Sequence, residues 1–362
     1  MRPIIATAAT LLTAGMATEG RLWQWVPASY AKLEEAELKI LKRAISTPFI
    51  MKKVARLGTI VVPCSDEKKR ANAKNLVLIH GFAGGNAVWA MNLEKLSKHF
   101  NVYAVEWIGV GRSDRPDFNY TDYDKADEFI MSSFEMWQKE IELEQFNLCG
   151  HSMGAIFASS YALRNPEKVN HLILASPAGV SHPPPPPNPK TDTEIARNRS
   201  LLRRMVFAAW ENNITPMSLA RLVGPYGPRL VQNVINRRTS FMSEGSAMRD
   251  GRVNLNELGD YIYNNWALKP SGERAMTTHL IPGAHAVRPL VDRLLPENVQ
   301  MPLSFIYGEY DWMDYRNGLD IVERFQKKGR AADLYFVRNG GHQMFMENPD
   351  EFSRILINIL TK

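Results

Sequence analysis

Phe146-Asn147-Leu148-Cys149-Gly150-His151-Ser152-Met153-Gly154-Ala155 joins a short apolar run to a segment, 155–163, with helical character. Gly-x-Ser-x-Gly alone is a modest signal, because five-residue patterns recur by chance. An apolar strand before it and a helix after it make it a sharp strand-to-helix turn that lifts a serine hydroxyl to the carboxyl end of a sheet. Small residues flank Ser152 because such a turn crowds its own backbone. Ser152 is therefore the candidate nucleophile. The bland alternative, a buried serine in a glycine turn, leaves the flanking pattern unexplained.

Apolar runs at 76–79, 102–105, 172–175, 303–307 and 334–337 surround this stretch. Helical patterns alternate with them: Phe129, Ser133, Met136, Trp137 and Ile141, then 319–327 and 349–360. That rhythm predicts a mostly parallel sheet with helices on both faces. It lapses from about 177 to 299, where Pro183 to Pro187, Pro216, Pro225, Pro228, Pro270 and Pro282 collect. Helical patterns around 201–210, 219–235 and 255–266 predict a helical cap there, inserted into a single catalytic domain. The expected organisation is an N-terminal segment 1–50, core 51–178, cap 179–299 and core 300–362.

A serine hydroxyl needs an adjacent base. Among eight histidines, His342 follows the final apolar run and two glycines, Gly340 and Gly341, which is a catalytic setting. Asp311 follows the run ending at Tyr307-Gly308 and is the favoured acid. Asp314 competes but reads as the cap of the next helix, and Glu309 is weaker. The order Ser152, Asp311, His342 is the order α/β-hydrolases use. Acyl transfer also needs amides facing the developing oxyanion, and Phe82 and Met153 occupy those positions. The glycine loop at 81–85 lacks the Gly-Lys-Ser/Thr of a phosphate cradle.

Composition fits a soluble globular chain: 45% hydrophobic, 23% charged, formal charge +6. Basic clusters at Lys52-Lys53, Lys68-Lys69-Arg70, Arg197 to Arg204 and Arg237-Arg238 lack interleaved aromatics, which argues against nucleic acid. They read either as attraction to anionic headgroups or as solvated surface. Two cysteines, Cys64 and Cys149, make no disulfide framework and favour a reducing compartment. No metal or cofactor pattern is present.

The segment 3–17 is too short and weakly apolar to span a membrane. Residues 14–17 loosely resemble a signal-cleavage region, and the scarcity of acids before Glu19 allows a mitochondrial presequence, though only Arg2 and Arg21 supply positive charge. Trp23 and Trp25 precede Pro27, and a helix is expected over 30–45. Indoles favour a membrane–water boundary, so this segment reads equally as a peripheral anchor or as an arm packed on the domain.

These residues together resemble the α/β-hydrolase lipid-enzyme subfamily. It holds the lipid-droplet lipase co-activator, an N-acyl-phospholipid lipase, plant lysophosphatidate acyltransferase/lipases and fungal cardiolipin deacylases. The carrying stretches include Gly109-Val110-Gly111-Arg112-Ser113, Val169 to Leu174, Gly224-Pro225-Tyr226-Gly227 and Pro270-Ser271-Gly272-Glu273. The resemblance implies a phospholipid or lysophospholipid substrate. Alternatives are an acyl-CoA-dependent acyltransferase making phosphatidic acid and a lipid-surface co-activator of another lipase. It also implies an intracellular protein, cytoplasmic or associated with membranes or lipid droplets, with the mitochondrion as alternative. The co-activator branch has Asn at the nucleophile position, so Ser152 points to catalysis. A family His-x4-Asp pattern linked to acyl transfer reads His342-x4-Glu347 here, one methylene longer.

Overall fold

Alternate residues of each apolar run face opposite layers. The computed structural model describes residues 25–183, 205, 208–212 and 214–362. Its eight-stranded sheet begins with β1 (Ile50–Val54), β2 (Leu57–Val62), β3 (Lys74–Ile79), β4 (Phe100–Val105), β5 (Phe146–His151) and β6 (Val169–Ala175). A small hairpin, β7 (Leu280–Ile281) and β8 (His285–Ala286), precedes the last two sheet strands, β9 (Leu303–Gly308) and β10 (Ala332–Val337). The spatial order is β1-β2-β4-β3-β5-β6-β9-β10, with β2 antiparallel to both neighbours and all other pairs parallel.

Helices cover both faces. They are α1 (Tyr30–Ala44), α2 (Ala90–Ser97), α3 (Tyr123–Glu140), α4 (Met153–Arg164), the cap helices α5 (Pro216–Leu222), α6 (Gly227–Ser240), α7 (Leu255–Ala267), α8 (Ala275–His279) and α9 (Leu290–Arg293), then α10 (Tyr315–Lys327), α11 (Met344–Glu347) and α12 (Pro349–Thr361). Val77 and Ile79 of β3 pack with Trp137 of α3 and Phe157 of α4, whereas Leu76 and Leu78 pack with Leu93 of α2 and Leu356 of α12. This two-sided burial is why the strands read as continuous apolar runs. Cys149 lies fully buried in β5, where burial pushes its thiol up to about 12 and keeps it inert.

Two features differ from the sequence reading. The hairpin β1–β2 extends the sheet upstream of residue 75; its turn, Ala55-Arg56, has positive φ at both positions without the usual Gly or Asn. The helix expected over 219–235 is two, α5 and α6. Gly224, at φ 53°, breaks it before Pro225, and a side chain there would strike the Trp25 ring. Of the helix expected around 201–210, residues 205 and 208–210 are described and helical. Trp23 and Pro184 to Pro187 lie outside the described residues.

α1 packs on α2 and the cap helix α7, burying Leu33, Ala36, Glu37 and Leu41. Glu37 pairs with the buried Arg112, whose own amide donates to Glu106 at 2.7 Å. Burial and the nearby Glu106 push Glu37 up to about 8 against the pull of Arg112. An unfolded chain sheds that proton near 4.5, so stability falls as pH climbs from there to about 8 and is level above. The expected melting temperature drops by about 2–4 °C between about pH 6.5 and about pH 8.5. Glu37→Gln flattens that drop; an unchanged slope in the variant contradicts it.

Candidate active site

The elbow after β5 sets Ser152 at φ 53° and ψ −119°, an unfavourable backbone for a non-glycine residue. Its amide donates to Ala175 O at 3.0 Å, and its carbonyl accepts from Ala155 and Ala178. These bonds hold the strain in place. A side chain at Gly154 would collide with the His80 carbonyl, so the small residue permits α4 to pack on the end of β3.

Ser152 Oγ donates to His342 Nε2 at 3.1 Å, and His342 Nδ1 donates to Asp311 Oδ1 at 3.1 Å. The three residues come from three strand ends: β5, β9 and β10. Their side chains are all largely buried. Asp311 also accepts from the Met313 amide at 3.0 Å through Oδ1 and from Ser176 Oγ through Oδ2. Asp314 instead caps α10, accepting from the Arg316 amide and guanidinium, and Glu309 accepts from the Asn339 amide. Geometry therefore selects Asp311.

The loop after β3 runs beside the nucleophile: a Cβ built on Gly81 would sit 2.9 Å from Ser152 Cβ. His80 Nδ1 and the Gly84 amide both donate to Gly81 O, at 2.8 and 3.2 Å. Burial pushes His80 down to about 4, so the ring stays neutral and serves as this brace. The cap fixes the loop from outside, with Asn265 Nδ2 donating to Gly84 O at 2.7 Å and Trp266 Nε1 to Ala83 O at 2.8 Å. Among the described residues, the Phe82 and Met153 amides enter no backbone hydrogen bond. Met153 is the first residue of α4, whose opening N–H groups lack helical acceptors.

Glu347 is buried, and its carboxylate binds the amides of Gly341 and Gln343. Trp312 lies with its ring 5.0 Å from that of His342 and is 60% exposed, beside exposed Tyr310. Trp25 is 50% exposed; its indole N–H donates to Leu222 O at 3.2 Å, which ties it to the cap. Ser176, His151, Asn265 and Trp266 went unread in the sequence. Of these, Ser176 carried a signal, since it follows β6 at the carboxyl edge where this architecture collects its chemistry.

The sheet order, the elbow and the inserted cap define the α/β-hydrolase fold. The family profile for that fold matches residues 74–349. A 1-acylglycerol-3-phosphate O-acyltransferase of Arabidopsis thaliana is 31% identical over 350 residues, covering 91% of this chain and 80% of that protein. A (lyso)-N-acylphosphatidylethanolamine lipase of Homo sapiens is 28% identical over 336 residues, covering 91% and 92%. The chain belongs to the α/β-hydrolase fold family, in the branch that contains these named acyltransferases and lipases. Among solved structures, a bacterial membrane phospholipase A aligns with a TM-score of 0.61 at 19% identity, over 100% of this chain and 98% of that one. The Bacillus subtilis carboxylesterase CesB gives 0.57 at 19%, over 91% and 98%. These two likenesses concern the fold.

Proposed function

We propose that this protein cleaves acyl esters of phospholipids or lysophospholipids through an acyl-Ser152 intermediate. The observation that carries the reading is the continuous relay from Ser152 Oγ through His342 to Asp311, together with the amides of Phe82 and Met153, which have no backbone partner. Ser152 Oγ attacks the acyl carbonyl while His342 Nε2 takes its proton. Asp311 holds the other ring nitrogen and stabilises the imidazolium. Charge on the carbonyl oxygen is met by the Phe82 and Met153 amides. The C–O bond then breaks, the departing alcohol takes the proton from His342, and the acyl group stays on Ser152. Water, deprotonated by His342, releases the fatty acid and restores the serine.

The lipid direction is supported by the relatives' names, 1-acylglycerol-3-phosphate O-acyltransferase and (lyso)-N-acylphosphatidylethanolamine lipase. The exposed aromatic residues beside His342 suit an acyl chain arriving from a lipid surface. Mass-spectrometric assay against lysophosphatidate, lysophosphatidylcholine and monoacylglycerol tests the proposal. Fatty acid release from a phosphate-bearing lipid is expected; hydrolysis confined to short water-soluble esters would contradict the substrate class.

The same relatives favour one second reading, transfer of the acyl group to lysophosphatidate. It shares the acyl-Ser152 step and differs only in which hydroxyl attacks, with acyl-CoA as donor. Incorporation of labelled acyl-CoA into phosphatidate, dependent on His342, tests it.

The protein works, on this reading, at a membrane or lipid-droplet surface. Among the described residues no helix is long and apolar enough to cross a bilayer. The half-exposed indole of Trp25 beside exposed Leu222 and Tyr226 suits peripheral contact instead. Changing Trp23 and Trp25 to Ala is expected to reduce flotation with vesicles of phosphatidylcholine and phosphatidylserine several-fold. Equal flotation would remove the anchor.

A further inference from the structure

His342 sits in the turn between β10 and α11, where no strand or helix ladder holds its own peptide groups. Three elements hold that turn instead. Glu347 Oε2 accepts from the Gly341 amide at 2.8 Å, and its Oε1 accepts from the Gln343 amide at 3.1 Å. One carboxylate therefore spans the N–H groups of the residues before and after His342. From the elbow, His151 Nε2 donates to His342 O at 2.9 Å. From the cap, the Ala247 amide donates to Glu347 O at 2.8 Å and Ser243 Oγ to Asn339 O at 3.2 Å.

Glu347 is only 5% exposed, so its carboxylate is deep in the protein and must be satisfied there. Both oxygens are engaged by backbone amides, the stronger, charge-assisted kind of hydrogen bond. The spacing His-x4-Glu follows from this geometry: α11, Met344 to Glu347, is one short turn that brings the side chain back beneath the residue it started from.

We propose that Glu347 is a positioning residue for His342, fixing the imidazole between Ser152 and Asp311 and linking it to the cap through its own carbonyl. This rests on the reading of His342 as the base. Displacing a reacting nitrogen by about an ångström costs roughly 10²-fold in rate. At position 347 a glutamine presents an NH2 group to one of the two amide donors, so one contact becomes donor against donor. An aspartate keeps the charge but is too short to span both amides.

The test compares wild type, Glu347→Gln and Glu347→Asp in the full chain, by two readouts. The first is the rate of fluorophosphonate labelling at Ser152 together with kcat and KM on a lysophospholipid. Glu347→Gln is expected to lose roughly 10–100-fold in kcat and in labelling rate with KM within about twofold, and Glu347→Asp to lose less. The second is the proton resonance of the His342 Nδ1–H bonded to Asp311, in histidine-labelled protein. It is expected downfield and sharp in wild type, and shifted or broadened in the variants at an unchanged melting temperature. Wild-type rates and an intact resonance in both variants would overturn the proposal. So would a loss that follows the melting temperature alone. If Glu347→Gln does not fold, Glu347→Asp supplies the same comparison, and a wild-type resonance and rate in it would likewise overturn the proposal. Wild-type protein that neither labels nor hydrolyses, while the resonance still depends on residue 347, would defeat the proposed function and leave the positioning role standing. Gain of acyl-CoA transfer in Glu347→Asp would show that the spacing serves an acceptor, and would also overturn the proposal.

Discussion

Ser152→Ala is expected to lower turnover of acyl esters by roughly 10⁴–10⁶-fold, with the fold and lipid binding unchanged. In the proposed mechanism the loss is that large because Ser152 Oγ is the atom that forms the covalent bond, and the remaining parts cannot substitute for it. His342 stays beside Asp311 and the amides stay in place, so a small residue of rate from water attack is all that survives. The fold is spared because the Ser152 side chain makes no structural bond besides that to His342. Its backbone bonds to Ala175, Ala155 and Ala178 remain. Alanine at φ 53° carries a strain cost similar to that of serine. Initial rates on a lysophospholipid and a thermal melt check this together. A variant that keeps more than a few per cent of wild-type turnover would contradict the mechanism.

Asp311→Asn is expected to lower kcat by roughly 10⁴-fold, with little change in melting temperature. Aspartate here accepts three hydrogen bonds, from His342, Met313 and Ser176. An amide can offer only one oxygen to those donors, so its NH2 group faces either the imidazole or Ser176. Where the NH2 group faces the imidazole, the ring turns or takes the other tautomer, and its Nε2 no longer accepts the serine proton. The charge that stabilises the imidazolium is also lost. Asp314→Asn is the matched control, because that carboxylate caps α10 and pairs with Arg316 at the surface. It is expected to keep near-normal kcat. Comparable kcat in the two variants would contradict the assignment of the acid.

The chemistry-bearing residues were legible in the sequence because each sits at a local pattern, an apolar run that stops at a glycine. Gly150-His151-Ser152, Gly308 to Asp311 and Gly340-Gly341-His342 are three instances of one arrangement, the carboxyl end of a buried parallel strand. Asp314 could be set aside from sequence because helix caps also follow a local rule. What was not legible depends on contacts between distant parts of the chain. Ser176 meets Asp311, His151 meets the His342 carbonyl, and Asn265 and Trp266 reach the loop at 83–84 from the cap. Ser176 and His151 sit at strand ends, but no local pattern names their partners, and Asn265 and Trp266 have no motif at all. The β1–β2 hairpin was missed because Ala55-Arg56 lacks turn chemistry, and the break at Gly224 because apolar spacing continues through it. His342 and Glu347 were visible as a spaced pair, yet only the structure shows both carboxylate oxygens bound to the amides on either side of the base.

A covalent acyl group at Ser152 is the central intermediate of the proposed function. Acid quenching during turnover of a lysophospholipid, followed by digestion and mass spectrometry, tests it most directly. The predicted result is one acyl-mass adduct on the peptide that contains Ser152, absent from Ser152→Ala. Turnover without that adduct, or with an adduct on another residue, would contradict the account.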